Sequence, residues 1–391
     1  MKTHGICVVT GTRAEYGLLR PLLFRLKKNE KVELSLVVTG THLMEAFGNT
    51  RQEIEADGFS EYYKVELPLE EDSKKAMVHA TGVALSKFGE VYEQMKPELV
   101  ILLGDRFEIF AAAIAAHFLG IPIAHLCGGD VTEGAVDDAI RHSITKLSTL
   151  HFPGCEESAK RIIQMGESPE RVFNVGQPGI ENCLKVETMT KEELAENLGF
   201  PAMMKDYAVV TFHPVTMEEN TAKEQVMELI RAMDEQKDLA YIITLANADA
   251  GGRVINEIWQ KEGTKRKNWY VTPSLGMRRY LSAVRHAEAV IGNSSSGVLE
   301  VPACGVPTVN IGDRQKGRMA AKSVISVPPE KEAIGEAIKT ARTAEFRNAM
   351  KGMELPFGNG TTSEQVEKIV MKYLDNEERT TEKSFYDLNN R

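Results

Sequence analysis

The chain has 391 residues, 42% of them apolar and 26% charged, which is ordinary globular usage and too long for a single core, so two domains are expected. A formal net charge of −9 without any basic block excludes a nucleic-acid partner, which needs clustered Lys and Arg. Five widely spaced cysteines (Cys7, Cys127, Cys155, Cys183, Cys304) and no CxxC point to a reduced, cytoplasmic interior rather than a disulfide framework or zinc knuckle.

In chain order, short runs rich in Val, Ile and Leu alternate with longer helical patterns. Strands are predicted at Gly5–Thr10, Glu33–Thr39, Leu99–Leu103 and Pro122–Leu126, with another near Val172–Val175. Helices are predicted between them at Leu18–Lys28, Met44–Ala56, Lys74–Gln94, Phe107–Leu119, Asp137–Leu147 and Glu157–Met165. The opening apolar run, Ile6–Val9, is too short for a signal peptide. The longest apolar tract, Phe107 to Cys127, is broken by His117, Gly120, Pro122 and His125, so it reads as a buried helix and strand and no membrane partner is expected. Near-continuous apolar strands joined by helices imply a parallel sheet covered on both faces.

The pattern restarts after Gly176-Gln177-Pro178-Gly179, a plausible hinge. Strands follow at Ala208–Phe212, Tyr241–Leu245, Trp269–Val271, Ala289–Ile291 and Thr308–Ile311, and Thr362–Tyr373 reads as a closing helix. The organisation predicted is α/β, with an N-terminal Rossmann-like domain over 1–176, a second over 177–361, and a helix and tail over 362–391. A ligand is expected in the cleft between the domains, at the carboxyl ends of strands.

That rule selects the loops to read. Ile291-Gly292-Asn293-Ser294-Ser295-Ser296-Gly297 runs from a strand into a small polar loop and a helix start, suited to a phosphate or, equally, to a plain Ser N-cap. Thr10-Gly11-Thr12-Arg13-Ala14 puts Arg13 at a helix start, where the dipole disfavours a cation unless an anion sits there. It is neither a P-loop nor GxGxxG, so no dinucleotide cofactor is supported. Asp105, in Leu103-Gly104-Asp105-Arg106, is an N-cap by position or else a carboxylate facing the cleft, and Arg106 is a second phosphate clamp. Asp137 with Arg141 and Asp138 with His142 have the i,i+4 spacing of surface ion pairs, while Asp130 or Asp137 could act as acid or base. His125-x-Cys127 lacks further ligands at suitable spacing, so no metal is expected. His213, before Pro214 at a strand end, could neutralise a diphosphate leaving group. Asn247 and the basic loop Gly312–Arg318 end other strands. Together these loops carry the groups needed to hold a nucleotide diphosphate and act on what is attached to it.

GTRAEYG, TGTHL with FGNT, LGDRFE, DDAIRHSITK, FHP, IGNSSSG and IGDRQKGR, in this order, resemble the hydrolysing UDP-N-acetylglucosamine 2-epimerases, the family of the bacterial NeuC-like enzymes and of the epimerase half of the animal bifunctional epimerase/kinase. The resemblance spans nearly the whole chain. It implies a glycosyltransferase-B type fold, a UDP-amino sugar substrate, UDP as product, no cofactor, and a homodimer or homotetramer. The implied reaction converts UDP-N-acetylglucosamine and water into N-acetylmannosamine and UDP. The same chemistry on a 4-acetamido-6-deoxy sugar, the non-hydrolysing epimerase, a glycosyltransferase of the same fold and a nucleotide-sugar sensor are its rivals. By resemblance, Arg13 with Ala14, Ser294, Ser295 and His213 fall on diphosphate contacts. Arg106, Asn247, Leu275, Glu300 and Arg314 fall on other nucleotide positions, with Glu300 on the ribose. His42, Asp105 and Asp137 fall on positions for sugar handling or proton transfer. Cys127 departs from the family, whose animal members carry Glu there and some bacterial members His, so Asp105 and Asp137 are expected to carry the proton transfers. The loop Val131–Ala135 is about one residue longer than in the animal form, beside the expected sugar pocket.

Overall fold

The computed structural model describes residues 3–44, 50–68, 73–132, 136–214, 222–246 and 252–388. Its strands are β1 (His4–Thr10), β2 (Val32–Thr39), β3 (Tyr63–Val65), β4 (Leu99–Leu103), β5 (Ile123–Leu126), β6 (Leu150–Phe152), β7 (Tyr207–Thr211), β8 (Ala240–Thr244), β9 (Trp269–Thr272), β10 (Ala289–Gly292), β11 (Thr308–Ile311) and β12 (Val324–Val327). They form two six-stranded sheets, ordered β3-β2-β1-β4-β5-β6 and β12-β11-β10-β7-β8-β9, in which every pairing is parallel. Each is the strand order of a Rossmann unit, so the expected pair of Rossmann-like α/β units is present. One compact unit comprises Met1–Glu181 with Gly360–Arg391, the other Asn182–Asn359.

In the first unit, successive β1 residues serve opposite faces, as strand geometry demands. Ile6 and Val8 pack with Leu19 and Leu23 from helix Arg13–Lys28. Cys7 and Val9 pack with Phe88 from helix Lys74–Met95 and Ile109 from helix Phe107–Phe118. In the second unit Val210 joins Leu229 and Trp259 on one face, and Val209 joins Leu194 and Val284 on the other. Both sheets are therefore covered twice, which is why their strands read as unbroken apolar runs.

Helix Arg13–Lys28 begins five residues before the predicted Leu18. Thr12 and Glu15 form a reciprocal capping box that ends the loop early. Where one helix was predicted over Met44–Ala56, a 3-10 turn spans Gly40–Leu43 and a helix Arg51–Ala56, with 45–49 outside the described residues. Val172–Val175 is not a strand: Val172 makes only an isolated bridge to His151 of β6. β3 and β6, with three residues each, are too short to show a pattern in the sequence. Among the described residues no helix is long and apolar enough to cross a membrane.

The C-terminal segment is part of the first unit's core. Val366, Val370 and Leu374 of helix Thr362–Leu374 pack with Leu19, Leu22 and Leu26. Beyond it, Lys383 reaches Glu167, a carboxylate only 2% exposed. Glu167 Oε2 accepts from Lys383 Nζ at 2.9 Å and His151 Nε2 at 2.9 Å, and Oε1 from Lys146 Nζ at 2.5 Å. Burial pushes the Glu167 pKa up, but these three donors outweigh it and hold the group at about 2, below its ordinary 4.5. Burial lowers the pKa of His151, so the two lysines supply the positive charge. Because the folded value is depressed, this stability is present above about pH 4.5 and is lost as pH falls toward about 2. Glu167→Gln is expected to cost about 3–5 kcal/mol at neutral pH, the usual penalty for breaking a buried pair. It should also flatten the acid side of the stability curve measured by urea unfolding across pH. Equal acid slopes in variant and parent would refute the assignment.

Candidate functional site

In each sheet the chain works outward from one central strand, then returns to start again beside it. The order reverses between β1 and β4, and between β7 and β10. Loops leaving the two central strands diverge there, which opens a crevice at the carboxyl edge.

In the first unit that edge gathers Arg13 and Ala14 after β1, His42 after β2, Asp105 and Arg106 after β4, and Cys127 and Asp130 after β5. Arg13 is the first residue of its helix and is half exposed, with Nε 2.8 Å from Glu53 Oε1. Glu53 thus supplies an anion where the dipole asks for one. Ala14 is exposed beside it. His42 is fully buried in its 3-10 turn, with Nε2 3.1 Å from Thr10 Oγ1 and Nδ1 2.8 Å from Thr50 Oγ1. Burial lowers its pKa to about 4, so at neutral pH it is an uncharged hydrogen-bonding group.

Asp105 is not the N-cap its position suggested. Arg106 occupies the N-cap of helix Phe107–Phe118, without a side-chain cap bond. Asp105 is instead gripped by the guanidinium of Arg141, from helix Val136–Leu147. The predicted surface pair between Asp137 and Arg141 is replaced by this inward one. Arg141 is 6% exposed and also donates to the Asp130 carbonyl at 2.8 Å and Thr132 Oγ1 at 3.1 Å. The second predicted pair is present, with His142 Nε2 3.5 Å from Asp138 Oδ2. Asp137 lies in the first turn of the same helix. Partial desolvation and the charge of Asp105 push its pKa up, against the pull of Arg106 and Arg141. Arg106 itself reaches Glu108 Oε1 at 2.6 Å.

Cys127 and Asp130 belong to a polar chain under this edge. Cys127 has φ 61°, a conformation rare for a residue with a Cβ and a mark of local strain. Its Sγ donates to Gln177 Oε1 at 3.2 Å, Gln177 Nε2 donates to Asp130 Oδ2 at 3.3 Å, and Ser158 Oγ to Asp130 Oδ1 at 2.6 Å. Burial pushes the Cys127 thiol up, so it stays protonated and is not a base at neutral pH. His125, 1% exposed, donates from Nε2 to the Gly104 carbonyl at 2.8 Å and fixes the loop that carries Asp105. Burial lowers its pKa to about 3, and it is neutral.

In the second unit the edge gathers His213 after β7, Ser294 and Ser295 after β10, and Arg314 after β11. The predicted contact Asn247 lies outside the described residues, as do Glu133–Ala135 of the longer loop. The organising residue is one that the sequence reading passed over. Asn293 is fully buried, and its Oδ1 accepts the His213 N–H at 2.7 Å while Nδ2 donates to the His213 carbonyl at 2.8 Å. Its own carbonyl accepts Arg314 Nη1 at 3.1 Å and Gln315 Nε2 at 2.9 Å. One side chain and one carbonyl therefore register three loops. Gly292 makes room for this: φ is 133°, and a Cβ there would lie 1.9 Å from the Thr211 carbonyl oxygen.

Ser294 is the N-cap of helix Ser295–Leu299, yet its side chain makes no cap bond, so the plain Ser-cap reading does not hold. Ser296 instead accepts from Tyr280 at 3.0 Å and donates to Glu300 Oε2 at 2.8 Å. Burial pushes the Glu300 pKa up, against the Ser296 hydrogen bond. Leu275 is 2% exposed and its side chain belongs to the core with Val209 and Val284, which leaves only backbone for a ligand. Arg141, His125, Asn293 and Gln315 were not singled out as site residues. An amide directly after a strand-ending glycine is the sequence signal for Asn293. Among the described residues no cluster of His, Cys, Asp and Glu is arranged to hold a metal ion.

A family model described as UDP-N-acetylglucosamine 2-epimerase matches residues 25–371. The Escherichia coli protein named polysialic acid biosynthesis protein P7 is 38% identical over 384 residues, covering 98% of this chain and 97% of that one. A Campylobacter jejuni protein named GDP/UDP-N,N'-diacetylbacillosamine 2-epimerase (hydrolyzing) is 37% identical, covering 89% of this chain and 90% of its own. Among solved structures, a Neisseria meningitidis UDP-GlcNAc 2-epimerase bound to UDP-GlcNAc shares the fold, with a TM-score of 0.75 at 19% identity, over 94% of this chain and 100% of that one.

Asn293→Asp keeps the size of the side chain but turns the Nδ2 donor into an acceptor facing the His213 carbonyl. The expected loss is about 2 kcal/mol, the usual result of leaving buried polar groups mismatched. Thermal denaturation checks it, and an unchanged midpoint would mean that Asn293 does not hold the loops together.

Proposed function

The chain belongs to the UDP-N-acetylglucosamine 2-epimerase family, and we propose that within it this protein is a hydrolysing enzyme that converts UDP-N-acetylglucosamine and water into N-acetylmannosamine and UDP. The observation that carries the chemistry is the carboxyl arrangement at the ends of β4 and β5: Asp105 clamped by Arg141, and Asp137 with a raised pKa close by. Inversion at C2 needs one group to remove a proton and another to return it on the opposite face. Two carboxyls in different environments suit that division of labour.

The scheme has two stages. A base takes the C2 proton as the C1–O bond breaks and UDP departs, leaving a glycal. Water then adds its hydroxyl at C1 and gives up its remaining proton to solvent, while an acid delivers a proton to C2 from the other face. No carbonyl acidifies the C2 proton, so the elimination depends on stabilising charge on the departing diphosphate. We assign the proton removal to Asp105 and the return to Asp137, whose raised pKa suits a donor. Cys127 takes no proton, in keeping with its buried, protonated thiol. We assign the diphosphate to Arg13, with Ala14 beside it, and to Ser294, Ser295 and His213. The rest of the nucleotide falls to Arg106, Arg314, Glu300, the Leu275 backbone and Asn247. Neutral His42 is assigned to the sugar, which would take the place of its Thr10 or Thr50 hydrogen bond. The scheme requires no cofactor.

A second reading, the same chemistry on a UDP-2,4-diacetamido-2,4,6-trideoxy sugar, is favoured by the similarity to the Campylobacter relative. Proton NMR in D2O separates the readings. Free N-acetylmannosamine carrying deuterium at C2, together with UDP, is expected from UDP-N-acetylglucosamine. Turnover of the diacetamido sugar alone would move the assignment to the second reading, and UDP retained on the sugar would make the enzyme non-hydrolysing. Asp105→Asn is expected to reduce turnover by about 10²–10⁴-fold while UDP binding survives. Near-normal turnover in that variant would remove Asp105 from the scheme.

A further inference from the structure

Two buried carboxyls beside β1 and β4 have no part in that scheme. Glu15, in helix Arg13–Lys28, is 7% exposed, and Glu108, in helix Phe107–Phe118, is fully buried. Both address one guanidinium: Arg106 Nε lies 2.6 Å from Glu108 Oε1 and 3.9 Å from Glu15 Oε1. Glu15 Oε2 accepts the backbone N–H of Gly11 at 2.8 Å and of Thr12 at 3.2 Å. Glu108 Oε2 is buried without a hydrogen-bond partner. Both carboxyls face Gly11: Glu15 Oε2 accepts its N–H, and a Cβ there would stand 2.8 Å from Glu108 Oε1, so a larger residue would push Glu108 aside.

Two enclosed carboxylates against one guanidinium leave an uncompensated negative charge. A protein relieves such a charge by keeping a proton. Asp137 also acts on Arg106 from helix Val136–Leu147, with the same negative sign. Nearby Arg13 is engaged by Glu53, and His42 is neutral, so neither offsets the excess. We propose that Glu15, enclosed beside Glu108 and Arg106, keeps a proton and so keeps Arg106 positioned, with its charge available to an anionic ligand. Burial, then the charge of Glu108, push the Glu15 carboxyl up to about 8, against its backbone hydrogen bonds and Arg106. The pair is a positioning device: it touches Arg106, and Arg106 meets the nucleotide. That last link rests on the reading of Arg106 given above.

Release of the Glu15 proton in alkali places a second negative charge on Arg106 and weakens its hold on a diphosphate. In the parent enzyme KM for the UDP-amino sugar is expected to rise about tenfold per pH unit above about pH 8, with kcat little changed, as for loss of one proton. Glu15→Gln preserves the capping box, which accepts Gln, and leaves one carboxylate on Arg106 at every pH. Glu108→Gln leaves Glu15 as the one carboxyl of the pair that can charge against Arg106. Relative to its own KM at neutral pH, each variant should lose the alkaline rise. Difference infrared spectroscopy reads the proton without any substrate. The parent should show a protonated-carboxyl band at neutral pH that fades through about pH 8 and is missing in Glu15→Gln. Absence of that band from the parent, or an alkaline rise that persists in both folded variants, overturns the proposal. If the parent turns over no UDP-amino sugar, the proposed reaction falls while the infrared band still decides this one.

Discussion

The reversal of strand order at the centre of each sheet is the constraint on which the rest of this structure depends. Between β1 and β4, and again between β7 and β10, neighbouring strands send their loops in opposite directions. Side chains from distant parts of the chain then meet at one edge without the sheet's own hydrogen bonds to organise them. Buried polar groups there must find partners, because each one left unpaired carries a desolvation penalty. The two units solve this in different ways. The first uses charge, with Arg141 drawn inward onto Asp105 and the Asp130 carbonyl. The second uses a neutral amide, with Asn293 bonded to both backbone groups of His213.

These solutions explain what was legible in the sequence. Strands β1, β4, β7 and β8 and the helices between them announce themselves through apolar runs, because both faces of each sheet are buried. The loops that carry Arg13, Asp105, His213 and Ser294 follow from the rule that ligands sit at carboxyl edges. The partners of those residues do not follow. Arg141 stands four residues after Asp137, so helical spacing pointed to a surface pair. Its true partner is 36 residues away and is reached because β4 and β5 lie side by side. Asp105 looked like a helix cap for the same reason: local position was visible and the competing guanidinium was not. Edge strands β3 and β6 were missed because three residues cannot display a period of two.

Histidine contributes little positive charge at the first unit's edge. His42 and His125 are both buried, and burial keeps both neutral at physiological pH. They act as fixed hydrogen-bonding struts, His125 beneath the Asp105 loop and His42 between Thr10 and Thr50. Positive charge comes from arginine, which cannot be silenced by desolvation in the same way. Arg13, Arg106 and Arg141 each already hold a carboxylate: Glu53, Glu108 and Asp105. An anionic ligand approaching Arg13 or Arg106 therefore competes with an internal anion rather than filling a vacancy.

That competition bears on Cys127. With Arg13, Arg106 and Arg141 each already holding a carboxylate, another carboxylate at the end of β5 would add negative charge beside Asp105 and Asp130. Such a group would have to stay protonated or displace Arg141 from Asp105. A thiol avoids the conflict. It is neutral, donates to Gln177, and through Gln177 steadies Asp130 without drawing on Arg141. The strained backbone at Cys127 shows that the position is held by its surroundings rather than by its own preference. A thiol at this residue is thus electrostatically coherent: it leaves Arg141 committed to Asp105, and under the proposed scheme the proton transfers stay with Asp105 and Asp137, whose environments differ.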